Sequence, residues 1–337
     1  MKDKLQDCIN LKKTNYVPIW FMRQAGRYLP EFRKIREKNT DFIKLCLNET
    51  LTTKISLQPL KRYDLDGVII FSDILMIPYG LGQNVKFKKN FGPILDKINV
   101  DDVININNKD FINKLSPIYK AIKQTKKKIK NKSLIGFVGA PWTLLLYMLH
   151  GQSPKNGLDI DNLIKDKSLV SNLLNKLEKM ICLHIDKQIV AGANVIQIFD
   201  SWAGLLPKNK LLDYCYIPTN RIVSYVKSLK IPVICFPKGI KENYIEYCSI
   251  VKPNCISIDY NVDPKWIKNK LNGLPIQGGL DPKVLLSDKE EIKKSVENYL
   301  NIFKDYPYIF NLGHGVLPNT DPQIINYVIQ VVKNKKN

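Results

Sequence analysis

Two arginines four residues apart, Arg23 and Arg27, flank a glycine in the stretch Met22-Arg23-Gln24-Ala25-Gly26-Arg27-Tyr28. Only six of the 52 basic side chains are Arg, and with Arg33 and Arg36 four of the six fall in this one neighbourhood. A chain that uses Lys wherever a solvated charge suffices uses Arg for its shape. The planar fork takes a carboxylate or phosphate through two parallel hydrogen bonds, which an ammonium does not reproduce. The competing use of both guanidiniums is pairing with Asp or Glu on neighbouring elements. Gly26 tilts the reading toward a ligand, since a missing side chain lets backbone and ligand approach closely. Asp73 follows the apolar run 67–71 and is expected at the mouth of an apolar cavity, its alternative being a helix cap. Tyr147, six residues past Pro141, has the plainer reading of a core tyrosine, and Ser201 that of a strand-end cap. His314 is one of three His and the only one flanked by glycines.

The elements that must position these groups show in the apolar pattern. Short, often β-branched runs recur at 17–21, 67–71, 134–138, 194–199, 231–236, 255–258, 274–277 and 308–311. Runs of this length and composition read as strands buried on both faces, as in a parallel sheet. Segments between them, such as 169–191 and 211–229, carry helical spacing of apolar residues. Eight strand-helix units predict an α/β fold, a single-domain (β/α)8 TIM barrel over residues 1–337 with its cleft at the C-terminal ends of the strands. A doubly wound open sheet is the alternative, but no Gly-x-Gly-x-x-Gly follows any run. Residues just past the runs are Arg23 and Arg27, Ser72-Asp73, 139–142, Asp200-Ser201, Lys238, Asp259, 279–281 and Gly313-His314. Nearly every chemically suspect side chain falls on that rim.

The formal charge of +21 would ordinarily suggest a nucleic acid or an anionic membrane surface. The Lys residues are instead dispersed among Asn and Ile, as at 120–132 and in the tail 333–336, without interleaved aromatics, so neither partner is expected. A positive field would still steer a polyanionic small molecule toward a cleft. Seven Cys with no Cys-x-x-Cys fit a reducing compartment, and the one close pair, Cys182 and His184, faces different ways on a helix. The first eight residues contain acids and no apolar core, so no leader peptide is expected. Residues 133–152 hold no charged side chain, yet Gly136, Gly139 and Pro141 break them into a buried strand and a helix rather than a membrane span.

The heptapeptide Met22 to Tyr28 with the following Pro30-Glu31 resembles the N-terminal signature of the uroporphyrinogen decarboxylase family. So do Phe71-Ser72-Asp73 with Pro78 and Gly80-Leu81-Gly82, Gly139-Ala140-Pro141-Trp142-Thr143 with Tyr147-Met148, Phe199-Asp200-Ser201, Gly278 to Pro282, and Asn311 to Gly315. The resemblance runs through residues 18–322 in family order. It implies cofactor-independent conversion of the four acetate arms of uroporphyrinogen III to methyl groups, giving coproporphyrinogen III and CO2, by a cytoplasmic homodimer without a metal. It also implies that Asp73, Arg23 and Tyr147 are catalytic, and that substrate meets Arg23, Gln24, Ala25, Gly26, Arg27, Asp73, Tyr147, Ser201 and His314. Either Arg23 or Arg27 would deliver the ring proton. Two rival readings remain: a corrinoid-linked zinc methyltransferase, which would need a His-x-Cys that the chain lacks, and a basic nucleic-acid-binding protein.

Overall fold

The computed structural model describes residues 3–12, 14–88, 91–154 and 157–334. Residues 1–2 of the opening segment and 335–336 of the basic tail lie outside them. Among the described residues nine strands run in chain order: β1 (Gly67–Ile69), β2 (Val85–Lys88), β3 (Gly92–Leu95), β4 (Ser133–Gly139), β5 (Val195–Asp200), β6 (Val233–Pro237), β7 (Cys255–Ile258), β8 (Ile276–Gly278) and β9 (Tyr308–Ile309). Seven of them form one sheet in the order β1-β4-β5-β6-β7-β8-β9, every pairing parallel. Because all seven point the same way, their C-terminal ends share one edge, and each strand reaches the next through at least one helix. β4 and β5 are buried almost throughout, as their Val/Ile/Leu content requires when helices cover one face and facing strands the other.

Seven of the eight runs read from the sequence form strands of this sheet. The first, 17–21, does not form a strand. It makes one parallel bridge, Ile19 to Phe310, with Phe310 N–H donating to the Pro18 carbonyl at 2.8 Å. On its other side Asp66 N–H donates to the Ile19 carbonyl at 2.8 Å. Pro18 has no N–H, and the Asp66 carboxylate takes the Ile19 N–H at 2.9 Å, so a side chain replaces part of the ladder. The antiparallel hairpin β2–β3 has no counterpart in the sequence reading. It lies between β1 and β4, outside the main sheet.

The charge-free stretch divides as expected, into β4 and the helix Pro141–His150, the latter opened by Pro at its first turn and closed by Gly151 in the left-handed region. Pro78 and Gly80 lie in a short helix, Met76–Gly80, whose Pro sits in the first turn where no N–H is needed. One apolar core continues from Val17 to Val332. A smaller cluster, including Trp20, Ile135, Val195, Ile234 and Ile309, fills the space enclosed by the curled sheet. Within it the Trp20 indole donates to Gln277 at 2.8 Å, and Gln277 donates onward to Gln197 and Ser257.

Candidate active site

Arg23 occupies a left-handed backbone conformation, with φ of 60°, on the turn that leaves the bridging segment. A non-glycine residue there carries strain of roughly 1–3 kcal/mol and persists only where its surroundings fix it. Gln24 does the fixing. Its side-chain carbonyl accepts the Phe21 N–H at 3.1 Å, and its amide donates to the Gly67 carbonyl at 3.1 Å. Tyr28 OH donates to the Gln24 carbonyl at 2.8 Å. The Gln24 side chain is thus fully buried and engaged within the protein, and it fastens the arginine turn to the start of β1. From the far side, Asn311 accepts the Met22 N–H at 3.0 Å and the Leu312 N–H at 2.8 Å. Asn311 thereby joins the arginine turn to the loop that carries His314.

The glycines of both motifs serve protein contacts. A Cβ on Gly26 would stand 2.7 Å from the Arg23 carbonyl oxygen, so the close approach read from the sequence as room for a ligand is made inside the turn. A Cβ on Gly315 would stand 2.6 Å from Arg23 Cγ, because the arginine side chain lies across that residue. One on Gly313 would meet the Asp259–Tyr260 backbone.

Neither Arg23 nor Arg27 has an ion-pair or hydrogen-bond partner among the described residues, and both are open to solvent. The carboxylate that could have paired with them, Glu31, is instead gripped by the fork of Arg62, at 2.6 and 2.8 Å. Arg33 and Arg36 are turned to scaffold use. Arg33 donates to the Arg27 and Tyr28 carbonyls, and Arg36 donates to those of Asn39 and Thr40. The concentration of Arg in this neighbourhood therefore serves two purposes, and only the first two side chains stay unpaired.

Asp73 follows β1 and accepts one hydrogen bond, from the Leu75 N–H at 2.9 Å. It does not cap the helix Met76–Gly80, whose cap position is Leu75. Desolvation raises its pKa to about 6, against the opposing pull of the Leu75 N–H and the positive Arg23. Desolvation likewise lowers the pKa of Arg23, while Asp73 and Tyr147 favour its charge and Arg27 opposes it. Tyr147, buried on the helix Pro141–His150, lies 3.3 Å from the Ser153 hydroxyl, and its ring meets Trp202 edge-on at 6.2 Å between centroids. The pKa of His314 falls to about 3 through desolvation and then through the charges of Arg23 and Lys238. At neutral pH His314 is therefore a neutral imidazole among cations. Arg23 thus lies within electrostatic reach of Arg27, Asp73, Tyr147 and His314, at the edge of the sheet formed by the C-terminal ends of the strands.

Ser201 directly follows β5, with its hydroxyl free of any partner among the described residues. The turn beneath it is rigid. Thr143 donates to the buried Asp200 carboxylate at 2.5 Å and accepts the Trp202 N–H at 3.1 Å, while Cys215 donates to the other Asp200 oxygen. The sequence reading gave no role to Gln24 as a brace, to Asn311, or to Lys238. Among these only Lys238 had a legible signal, its position just past a strand.

A family model described as Uroporphyrinogen decarboxylase (URO-D) matches residues 1–335. The chain belongs to the uroporphyrinogen decarboxylase family. A uroporphyrinogen decarboxylase of Rickettsia felis is 39% identical over 326 residues, covering 96% of this chain and 94% of that one. One from Wolbachia pipientis wMel is 40% identical over 321 residues, covering 94% of each. Among solved structures, a methyltransferase from Methanosarcina mazei superposes with a TM-score of 0.79 over 98% of this chain and 97% of its own, at 14% identity. At that identity the likeness is one of fold. Beyond the missing His-x-Cys, no three His, Cys, Asp or Glu side chains gather among the described residues as a metal-holding group. The methyltransferase alternative is the less supported reading of this member of the uroporphyrinogen decarboxylase family.

Proposed function

We propose that the chain removes the four acetate carboxyl groups of uroporphyrinogen III in turn, leaving methyl groups and giving coproporphyrinogen III and CO2. The observation that carries this reading is the pair of unpartnered guanidiniums, Arg23 and Arg27, beside an Asp73 carboxylate held by a single backbone N–H. Cations without protein partners fit a substrate rich in carboxylates. An acceptor without a side-chain donor fits the pyrrole N–H groups of the ring.

Loss of CO2 from an acetate arm leaves an electron pair that needs a sink. Protonation of the pyrrole at a ring carbon makes the ring nitrogen iminium-like. As the C–C bond breaks, its electrons pass into the ring and neutralise that nitrogen, giving an exocyclic methylene. A proton added to the methylene and one lost from the ring carbon restore the pyrrole and complete the methyl group. Fixed negative charge at Asp73 stabilises the positive nitrogen, and because the carboxylate is already in place, little reorganisation accompanies the reaction. Arg23 or Arg27 delivers the ring proton, and both bind carboxylates. Tyr147 orients the departing carboxylate, while Ser201 and neutral His314 donate to others. Gln24, Ala25 and Gly26 contribute through the shape of the turn.

The same reading takes the chain as one domain, with segment 17–21 closing the curled sheet as the eighth element of a barrel. The bridge to Phe310 and the hydrogen bond from Asp66 support that closure. It further takes the enzyme as a cytoplasmic homodimer. The test is anaerobic incubation of purified, metal-stripped protein with uroporphyrinogen III, the products being oxidised and resolved by carboxyl count. Porphyrins with seven down to four carboxyl groups are expected. A folded protein that yields none overturns the reading.

A further inference from the structure

We infer that Lys238 is an additional carboxylate-binding residue of this cleft, holding an arm of the substrate on the side away from Asp73. The assignment rests on the decarboxylase reading for the identity of the ligand, and on geometry for the site. Lys238 is the first residue past β6, on the same edge of the sheet as Arg23, Asp73 and His314. β6 lies three positions along the sheet order from β1, beyond β4 and β5, so Lys238 enters the cleft from a different side than Asp73.

Its backbone is fixed at both ends. Lys238 N–H donates to the Asp200 carbonyl at 3.1 Å, and its carbonyl accepts the Gly204 N–H at 3.0 Å. The next residue, Gly239, donates to the Asp259 carboxylate at 2.7 Å. Asp259 also accepts from Tyr244 OH and the Asn261 N–H, so backbone and a tyrosine occupy the one acid close to this lysine. Gly204 packs so tightly on Gly239 that a Cβ there would stand 2.6 Å from the Gly239 carbonyl oxygen.

The ammonium itself has no ion-pair or hydrogen-bond partner among the described residues, although it is half-buried. Three other half-buried lysines do have partners: Lys333 and Lys132 pair with Asp64, and Lys176 donates to two carbonyls. Burial is the main influence that lowers the pKa of Lys238; the Asp259 carboxylate favours its charge and Arg23 opposes it, while Lys238 in turn acts on His314, so Lys238, Arg23 and His314 share one space. With Asp259 already taken by backbone N–H groups and Tyr244, an incoming carboxylate would give the half-buried ammonium the direct partner it lacks. Uroporphyrinogen carries acetate and propionate arms around its whole rim, more carboxylates than Arg23 and Arg27 can hold. A cation entering from β6 meets an arm that those two do not reach.

The test compares Lys238→Met and Lys238→Arg with the parent in anaerobic steady-state assays on uroporphyrinogen III. Loss of one charge-assisted hydrogen bond predicts a KM raised on the order of tenfold in Lys238→Met, with kcat changed by less than about threefold. Lys238→Arg should recover most of the affinity, and thermal unfolding of both variants should stay close to the parent's. An unchanged KM in Lys238→Met overturns the assignment, and so does a fall in kcat at constant KM, which would place Lys238 in the chemistry. A parent protein that makes no product overturns the decarboxylase reading instead. Titration with uroporphyrin, followed by its fluorescence, then reads the carboxylate contact without turnover. Equal affinity of parent and Lys238→Met overturns the assignment in that case as well.

Discussion

Asp73 carries a pKa of about 6, against 3.8 for an ordinary Asp, because burial disfavours its charge. The proposed chemistry needs that charge, so the two requirements oppose each other, and both have measurable consequences. A group whose folded pKa is raised contributes stability below its unfolded value and loses that contribution as pH rises through the folded value. Above about pH 6 the ionised Asp73 therefore destabilises the fold. Asp73→Asn should stabilise the fold at pH 8 by on the order of 1 kcal/mol after allowance for partial exposure, read as a higher melting temperature, and leave stability unchanged near pH 4. The same variant should lower kcat by roughly a hundredfold or more while substrate binding stays measurable. In the parent, kcat/KM should fall as pH drops through about 6, where Asp73 takes up a proton. A variant that is inactive and also less stable at pH 8 would contradict this account of Asp73. Arg27 poses a separate question of shape against charge. Arg27→Lys keeps the charge and loses the fork, so KM should rise several-fold, and kinetics matching the parent's would show that the fork is not used.

The elements place these groups through contacts that sequence periodicity does not report. The parallel strands were legible as apolar β-branched runs, and their ends as the rim of a site, because burial on both faces dictates composition. Segment 17–21 has that composition, yet it pairs through one bridge, isolated backbone hydrogen bonds and the Asp66 side chain, which a period-based reading cannot distinguish from a strand. The hairpin β2–β3 passed unseen because Lys86 and Lys88 leave it without a continuous apolar run. Gly26 and Gly315 stood out as glycines, but what each admits is the backbone or side chain of Arg23, and that depends on residues far apart in sequence. Gly315→Ala tests this directly. The methyl group would displace the flexible arginine rather than any backbone, so KM should rise about tenfold with little loss of thermal stability. Unaltered KM would mean that the resting position of Arg23 does not matter to binding. Asn311→Ala removes the acceptor shared by Met22 and Leu312 in a fully buried place. It should cost about 2 kcal/mol, seen as a lower melting temperature, and weaken substrate binding, since both the arginine turn and the His314 loop lose their common anchor. A variant with the parent's melting temperature would show that water or another acceptor takes the Met22 and Leu312 N–H groups.

At the scale of the whole molecule, the charge of +21 separates into a dispersed surface and a convergent cleft. Composition revealed the first and concealed the second, since three cations at a cleft vanish within 52. Ion pairs between two exposed side chains, such as Lys44 with Asp41 and Lys293 with Glu297, contribute little to the fold. On the proposed function the excess positive charge would act as a long-range field on an incoming polyanion, while Arg23, Arg27 and Lys238 would act at contact. The two contributions respond differently to salt. Screening over about 10 Å at 0.1 M weakens the field first, whereas contacts in a partly desolvated cleft persist. Raising NaCl from about 0.02 to 0.5 M should therefore lower kcat/KM by on the order of tenfold, mainly through slower association, with kcat nearly constant. Coproporphyrinogen, with half the carboxylates of uroporphyrinogen, should show a shallower salt dependence in inhibition assays. A kcat/KM indifferent to salt would confine electrostatic recognition to the cleft and leave the lysine-rich surface without a part in capturing substrate.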